Sequence, residues 1–308
     1  NENITISTAN LTRTQINTAA TYTTGSLKAS VAADSIADYG TITEDGNELA
    51  LNVEDGTVVA ATLNNLRART TGVVNVQATI INGALSDIGA LYAAQTAGTV
   101  TGLGAETIGM TDTGTVSASD LNVIDGINAT AFSAATVTGL TGTATAVNAA
   151  YASSGITGLA NETVTITGAT TAAADITTAN TNTTGVVTVN STTITGTQAE
   201  LVALYAANAA GTVAGLGNEA VTITDASITV AQANAVDALT SGAIKATIVD
   251  NDVDTLATLT GTGNAYSIVV SDTAVSASNL NVLNAKTTSA ISVTSTSISG
   301  SSTDLITA

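Results

Sequence analysis

Carboxylates are almost the only side chains in this sequence with chemistry to offer. Aspartate and glutamate number 24, against six lysines and arginines and no histidine or cysteine. They are also regularly placed. Glu2, Glu48, Glu106, Glu162 and Glu219 each stand just ahead of an alternating apolar and polar segment, such as the NEAVTITD of Asn218 to Asp225. Asp55, Asp112, Asp225 and Asp272 stand at the far ends of such segments. Carboxylates stacked about 5 Å apart on paired strands repel one another unless they are solvated, partly protonated or bridged by cations. All-oxygen donor sets suit hard cations. The spacing therefore predicts Ca²⁺ or a similar ion along an acidic stripe, weighed against a plain solvated acidic face. Asp250, Asp252 and Asp254, in DNDVD, have the spacing of the first ligands of a calcium loop. That loop requires glycine at its sixth position and glutamate at its twelfth, where this sequence has Thr255 and Gly261.

What is missing narrows the chemistry further. Without Cys or His the chain has no disulfide framework, no thiolate or imidazole metal site and no Ser-His-Asp or Cys-His nucleophile. A net charge of −18 argues against nucleic acid or an anionic membrane as partner. No apolar run reaches the roughly 18 residues that a membrane-spanning helix needs. No acid cluster sits in an aromatic-lined groove, so a carboxylate-pair glycosidase is not indicated, and the reading is that of a non-enzyme. Disorder is disfavoured too. Hydrophobic residues make up 44% of the chain and the mean hydropathy is +0.36, too apolar for a solvated coil.

The elements that must position these acids belong to one repeating array over 1–308. A segment A occurs near 12–25, 58–72, 116–130, 171–185, 228–242 and 275–289. Its forms include VSASDLNVIDGINAT from Val116 and VSASNLNVLNAKTTS from Val275. Successive copies end 47, 58, 55, 57 and 47 residues apart. A segment B alternates with it, clearest as ITGTQAELVALYAANAAGTVAGLGNEAVTITD from Ile194. Shorter, divergent B copies lie at 31–55 and 248–272. In B, Ala199, Leu201, Val202, Leu204 and Tyr205 form an apolar stripe on a helix, broken by Gly211, Gly215 and Gly217. Val221 and Ile223 then alternate with Thr222 and Thr224 as a half-buried strand. Segment A repeats the pattern, with Leu280, Val282 and Leu283 on a helix before Ile291 and Val293 on a strand.

Alternating strands and helices imply parallel strands joined by crossovers. A unit of 47–58 residues cannot bury its own apolar face, so the expected fold is an α/β or β-rich solenoid of about six repeats. One coil per half-repeat of roughly 25 residues is expected over one wider coil per repeat. The short repeats lose residues mainly from B, which places the length variation on one side of the stack. The opening NENITIS (Asn1 to Ser7) matches NEAVTIT, and ISGSSTDLITA (Ile298 to Ala308) matches the front of B. The array is thus in circular phase, which predicts copies stacking head to tail or flanking repeats in a longer array.

The six cations, Arg13, Lys28, Arg67, Arg69, Lys245 and Lys286, all fall in A helices or the strands after them. A segments carry a net +2 and B segments −20. Tyr92, Tyr151 and Tyr205 on the B helices read as packed rings with wet hydroxyls. The pairs Thr165/Thr167, Thr193/Thr195 and Thr222/Thr224 raise the prospect of a flat threonine face of the ice-binding kind, although outward threonine is also simply a good strand residue. Asn3, Asn10, Asn128, Asn161, Asn182 and Asn190 fall in N-x-S/T sequons that so threonine-rich a chain generates by chance.

The strings VSASDLNVIDGINAT, TGTATAVNAAYASSGITGLANETVTIT and GLGNEAVTITD resemble repeats of the giant repetitive cell-surface proteins of marine picocyanobacteria and related bacteria. The likeness is best over 116–227 and loosest in the two divergent B copies. It implies an exported, non-enzymatic structural protein at the cell surface, and it brings no catalytic residues with it. The sequence as a whole predicts a structural element of an extracellular filament, sheath or surface layer. The alternative is a repeat adhesin that grips glycan, mineral or ice through an acidic or threonine face.

Overall fold

The computed structural model describes residues 2–7 and 10–308. Asn1, the first residue of the NENITIS match, lies outside the described residues, as do Thr8 and Ala9. The fold is α/β, with short helices alternating with short strands and several parallel sheets. The chain divides into two compact units, Asn1–Leu140 with Ala149–Ala160, and Thr141–Asn148 with Asn161–Ala308.

In the first unit the strands Ile4–Thr5, Leu27–Ser30, Glu48–Val53, Val74–Val76 and Val100–Thr101 pair in that order, all parallel. A second ladder joins Thr57–Val59, Ile80–Gly83 and Thr107–Met110. In the second unit one ladder runs Thr163–Ile166, Val187–Val189, Val213–Ala214. Another runs Thr170–Ala172, Thr193–Gly196, Ala220–Ile223, Ile244–Thr247, Ala265–Val270, Ile291–Val293. Pairing partners lie one half-repeat apart. Thr170 pairs with Thr193, 23 residues on, and Thr193 with Ala220, 27 residues on. The shorter of the two expected spacings is the one observed.

Helices carry their apolar residues three apart and turn them inward, as Ala173, Ile176 and Ala179 and again as Ala277, Leu280 and Leu283. The stripe is narrower than periodicity predicts. Leu201, Leu204 and Tyr205 are buried, while Ala199 and Val202 face solvent, as does Val282. An eight-to-twelve-residue helix lying on parallel strands covers only one row of contacts, so a fourth or fifth apolar position turns outward. Val221 and Ile223 are buried as expected, whereas Val293 is exposed. Length variation falls in the B helices. They span twelve residues at Leu85–Thr96 and Gln198–Ala209, but four at Ile36–Tyr39 and Val253–Leu256.

A Thr-x-Gly after four of the A helices, at 23–25, 70–72, 183–185 and 240–242, makes a corner that fixes the register. The Thr183 hydroxyl donates to the Glu162 carbonyl at 2.6 Å and accepts the Gly185 N–H at 3.0 Å. A Cβ on Gly185 would overlap that same carbonyl, so the close approach requires glycine. Thr240 and Gly242 repeat the arrangement on the Glu219 carbonyl. At 128–130 Asn128 takes over, its amide donating to the Glu106 carbonyl at 3.1 Å. Helices are tied to the next half-repeat by a second recurring residue. Asn64, Asn148 and Asn234 donate their side-chain amides to the carbonyls of Asp87, Asp175 and Thr258 at 2.9–3.0 Å.

Candidate functional site

The predicted aspartate row is where the sequence said it would be, but its oxygens face backbone. Asp225 accepts the N–H of Gln198, the first residue of the helix Gln198–Ala209, at 2.6 Å. Asp112 does the same for Leu85 at 2.7 Å, Asp55 for Ile36 at 2.7 Å and Asp272 for Val253 at 2.8 Å. Asp250 does so for Val230 at 2.6 Å. Each acid caps a helix one half-repeat earlier in the chain. Local caps work beside it. In the helix that Asp225 reaches, the Thr197 hydroxyl takes the N–H of Glu200, leaving the N–H of Gln198 for the aspartate. The negative charge also sits at the positive end of the helix dipole.

The glutamate row splits. Glu106, Glu162 and Glu219 are buried, Glu162 completely. The Tyr92 hydroxyl donates to Glu106 Oε2 at 2.9 Å, and the Gly104 N–H donates to the same carboxylate at 2.9 Å. Glu219 receives the Tyr205 hydroxyl and the N–H groups of Gly217 and Asn218, at 2.8 and 3.1 Å. The hydroxyls of Tyr92 and Tyr205 are therefore not wet. Burial first, and then the glutamate hydrogen bond and charge, push both phenols well above the usual tyrosine range. Tyr151 is half-buried at the corresponding place on its helix.

Glu48 does not belong to this row. Leu51 pairs with Val74, which puts Leu49 beside Gly72, where Glu219 stands beside Gly242. The sequence match NEL to NEA is one residue out of step with the ladder, and one step along a strand reverses the face. Glu48 turns outward and pairs with Lys28. The buried position goes to Leu49 here and to Tyr266 in the other short copy, with Tyr39 and Leu256 at the matching helix ends. Tyr39 and Leu49 line one small cavity together. The two short copies thus hold a tyrosine and a leucine in exchanged positions, which conserves volume.

Glu2 is exposed. Asp252 caps its own helix, accepting the Thr255 N–H at 2.8 Å, and this bond holds its carboxyl below the usual aspartate range. Asp254 accepts the Asn279 amide at 2.7 Å. Asp250, Asp252 and Asp254 thus point to three different donors, and among the described residues no three acids converge as a metal would require. Within the second unit the neighbour of Glu162 on the ladder is the Gly185 corner and that of Glu219 the Gly242 corner, so neither glutamate stacks on another there.

Other acids engage the cations. Arg13 reaches Asp34 at 2.7 Å and Asp38 at 3.1 Å, and Arg69 reaches Asp45 at 2.6 Å. The Ser35 hydroxyl, and then Arg13, hold the Asp38 carboxyl below its ordinary value. The threonine rows are interrupted. Thr195 and Thr222 stand side by side, but Lys245 follows; Thr170 and Thr193 are followed by Ala220, and Thr165 and Thr188 by Ala214. Of the sequon asparagines Asn128 is buried, while Asn3, Asn10, Asn161, Asn182 and Asn190 are exposed.

Sequence reasoning missed the Asp-to-helix caps and the Tyr–Glu pairs. A signal for the second existed: Tyr92 and Glu106, and Tyr205 and Glu219, share a 14-residue spacing. No helix among the described residues is long and apolar enough to cross a membrane. Compared with protein-family models, curated proteins and solved structures, the chain matches none of them.

Proposed function

We propose that this chain is a non-enzymatic structural protein of an extracellular filament, sheath or surface layer, its six repeats stacked as an α/β solenoid. The observation that carries the reading is the use made of the carboxylates. Twelve acids were candidates for chemistry. Five cap helices one half-repeat away, two accept buried tyrosine hydroxyls, and the rest include an ion pair and a local cap. Polar groups spent on holding one half-repeat to the next serve cohesion. In such a stack each added half-repeat buries the apolar face of the one before, at about 25 cal/mol per Å². The load-bearing direction is then along the ladders, with stability growing in proportion to repeat number. The acidic surface keeps such a polymer hydrated and apart from its neighbours.

The test is immunogold labelling of the producing cells with antibody raised against the chain. Gold on the outer layer or on shed filaments is the expected result; gold confined to the cell interior overturns the reading.

A repeat adhesin is the second reading, and one feature favours it. Asn52, Asn75 and Thr101 stand in register on a ladder face where the asparagines are half-buried and the threonine exposed, with Asn75 donating to Asn52 at 2.5 Å and Thr101 to Asn75 at 3.2 Å. Gln77 joins them from the same edge, donating to Asn52 at 3.0 Å. A row of amides is chemistry suited to sugar hydroxyls. A glycan-array screen that returns a saturable, sequence-specific hit abolished by Asn75→Ala would move the assignment to this reading.

A further inference from the structure

A shallow groove of about 390 Å³ lies across the strands Leu27–Ser30, Glu48–Val53 and Val74–Val76 of the first unit. None of the side chains lining it carries a charge, in a chain of net charge −18. Acids flank it without entering it. Glu48 pairs with Lys28, and Glu54 follows the strand, exposed. The polar side of the groove is the amide row. Asn52 Oδ1 accepts from Asn75 and from Gln77, and Asn75 Oδ1 accepts the Thr101 hydroxyl. An amide has two N–H donors and an accepting oxygen, so these bonds use only part of the row. The Asn52 side-chain N–H groups and Gln77 Oε1 have no partner among the described residues. The apolar side lies two residues earlier on the same strands, and hence on the same face. There Ala50 is exposed, Val73 is 42% exposed, and Ser30 pairs with Ala50.

Charge and spacing say what fits. An anionic polymer is repelled by the chain as a whole and meets no cation in the groove. A cationic polymer meets no carboxylate there. A neutral sugar chain suits it on both sides. Its hydroxyls donate and accept, as the amides do, and its C–H faces lie against Ala50 and Val73. Neighbouring strands repeat about every 4.8 Å, close to the advance per sugar of an extended β-linked hexose chain. We propose that this groove binds a neutral, extended β-linked polysaccharide running across the strands, one sugar to each half-repeat. Each exposed hydrogen bond contributes little, whereas a polymer pays the cost of association once and engages several rungs. The site therefore takes a chain and not a single sugar. The assignment rests on the adhesin reading of the amide row and deepens it by naming the class of glycan. In a structural protein the same contact fastens the chain to the polysaccharide of its layer.

Titration calorimetry of the full chain with glucose, cellobiose, cellotetraose and cellohexaose, and with the matching chitin series, tests this. Binding should be undetectable for the monosaccharide, strengthen with length and level off at about four sugars, one for each of the strands Leu27–Ser30, Glu48–Val53, Val74–Val76 and Val100–Thr101. Gln77→Ala, at an exposed site, should weaken hexaose binding about three- to tenfold, and Asn75→Ala should abolish it. Thr188 holds the place of Asn75 in the second unit, where the row Thr165, Thr188 and Ala214 has no amide. Thr188→Ala should leave binding unchanged, with circular dichroism confirming the fold of each variant. No binding of either hexaose at millimolar concentration, binding independent of length, or binding unchanged by Gln77→Ala overturns the assignment. A glycan-array hit confined to charged glycans and lost in Asn75→Ala keeps the adhesin reading and overturns this one; an array with no hit overturns both.

Discussion

Asp225 accepts the backbone N–H of Gln198, 27 residues earlier in the chain, at 2.6 Å. One carboxylate thereby closes a helix that belongs to the preceding half-repeat, and the bond forms only when the two half-repeats are in register. Asp225→Ala should therefore cost about 1 kcal/mol of stability, the usual worth of a helix cap. Asp225→Asn, which keeps an acceptor without the charge, should cost less. Urea unfolding followed by circular dichroism measures both, and equal stability of the alanine variant and the parent would show that the bond contributes nothing.

Two buried tyrosines should respond in opposite directions to loss of a hydroxyl. Tyr205 donates to Glu219, so Tyr205→Phe leaves a buried carboxylate short of a donor and should destabilise by about 1–3 kcal/mol. The Tyr266 hydroxyl is buried with no hydrogen-bond partner among the described residues, so Tyr266→Phe should be neutral or stabilising by up to about 1 kcal/mol. Thermal melts of the two variants, compared in one buffer, decide the matter by sign.

Glycine substitutions should sort by corner. Gly185→Ala drives a Cβ into the Glu162 carbonyl and should cost about 1–3 kcal/mol, as overpacking does. At Gly114 an added Cβ meets nothing within 4 Å, and Gly114→Ala should fall within about 0.5 kcal/mol of the parent. Denaturant midpoints for the pair measure this, and a tolerated alanine at 185 would mean the corner is looser than its geometry.

The stability of the chain should fall away in alkali. Burial raises the phenols of Tyr39, Tyr92, Tyr205 and Tyr266 above the ordinary tyrosine value of 10.0. The folded chain keeps these protons where the unfolded chain releases them, so stability is whole below about pH 10 and declines as pH rises beyond it. Asp38 and Asp252 work at the other limit. Their lowered values give a contribution present above 3.8 that disappears as pH falls through the folded-state values. Melting temperatures across the pH range should form a plateau with two shoulders, and Tyr92→Phe should blunt the alkaline one.

Calcium should matter little. The acids that looked like ligands are held by helix N–H groups, tyrosines and amides, and no three of them converge among the described residues. The melting temperature in EDTA should equal that in millimolar calcium to within about 1 °C; a rise of several degrees with calcium would reveal a site that these side chains rearrange to make.

The repeat, its alternation of helix and strand, the parallel pairing and the segregation of charge into B segments were all written in the sequence. They are local properties: the spacing of Leu201 and Leu204, the alternation of Val221 with Thr222, the glycines that stop a helix. The tertiary structure decided where individual side chains point. It put Leu49 and not Glu48 in line with the buried Glu219, because a strand reverses face at every residue and the ladder is set by the Gly72 corner. It gave Asp225 and Asp112 to helix ends and Tyr205 to Glu219, because those partners lie 14 to 27 residues away and come together only when one half-repeat is laid against another. Periodicity specifies which residues share a face; the register between neighbours, which no single segment contains, specifies what each of them touches.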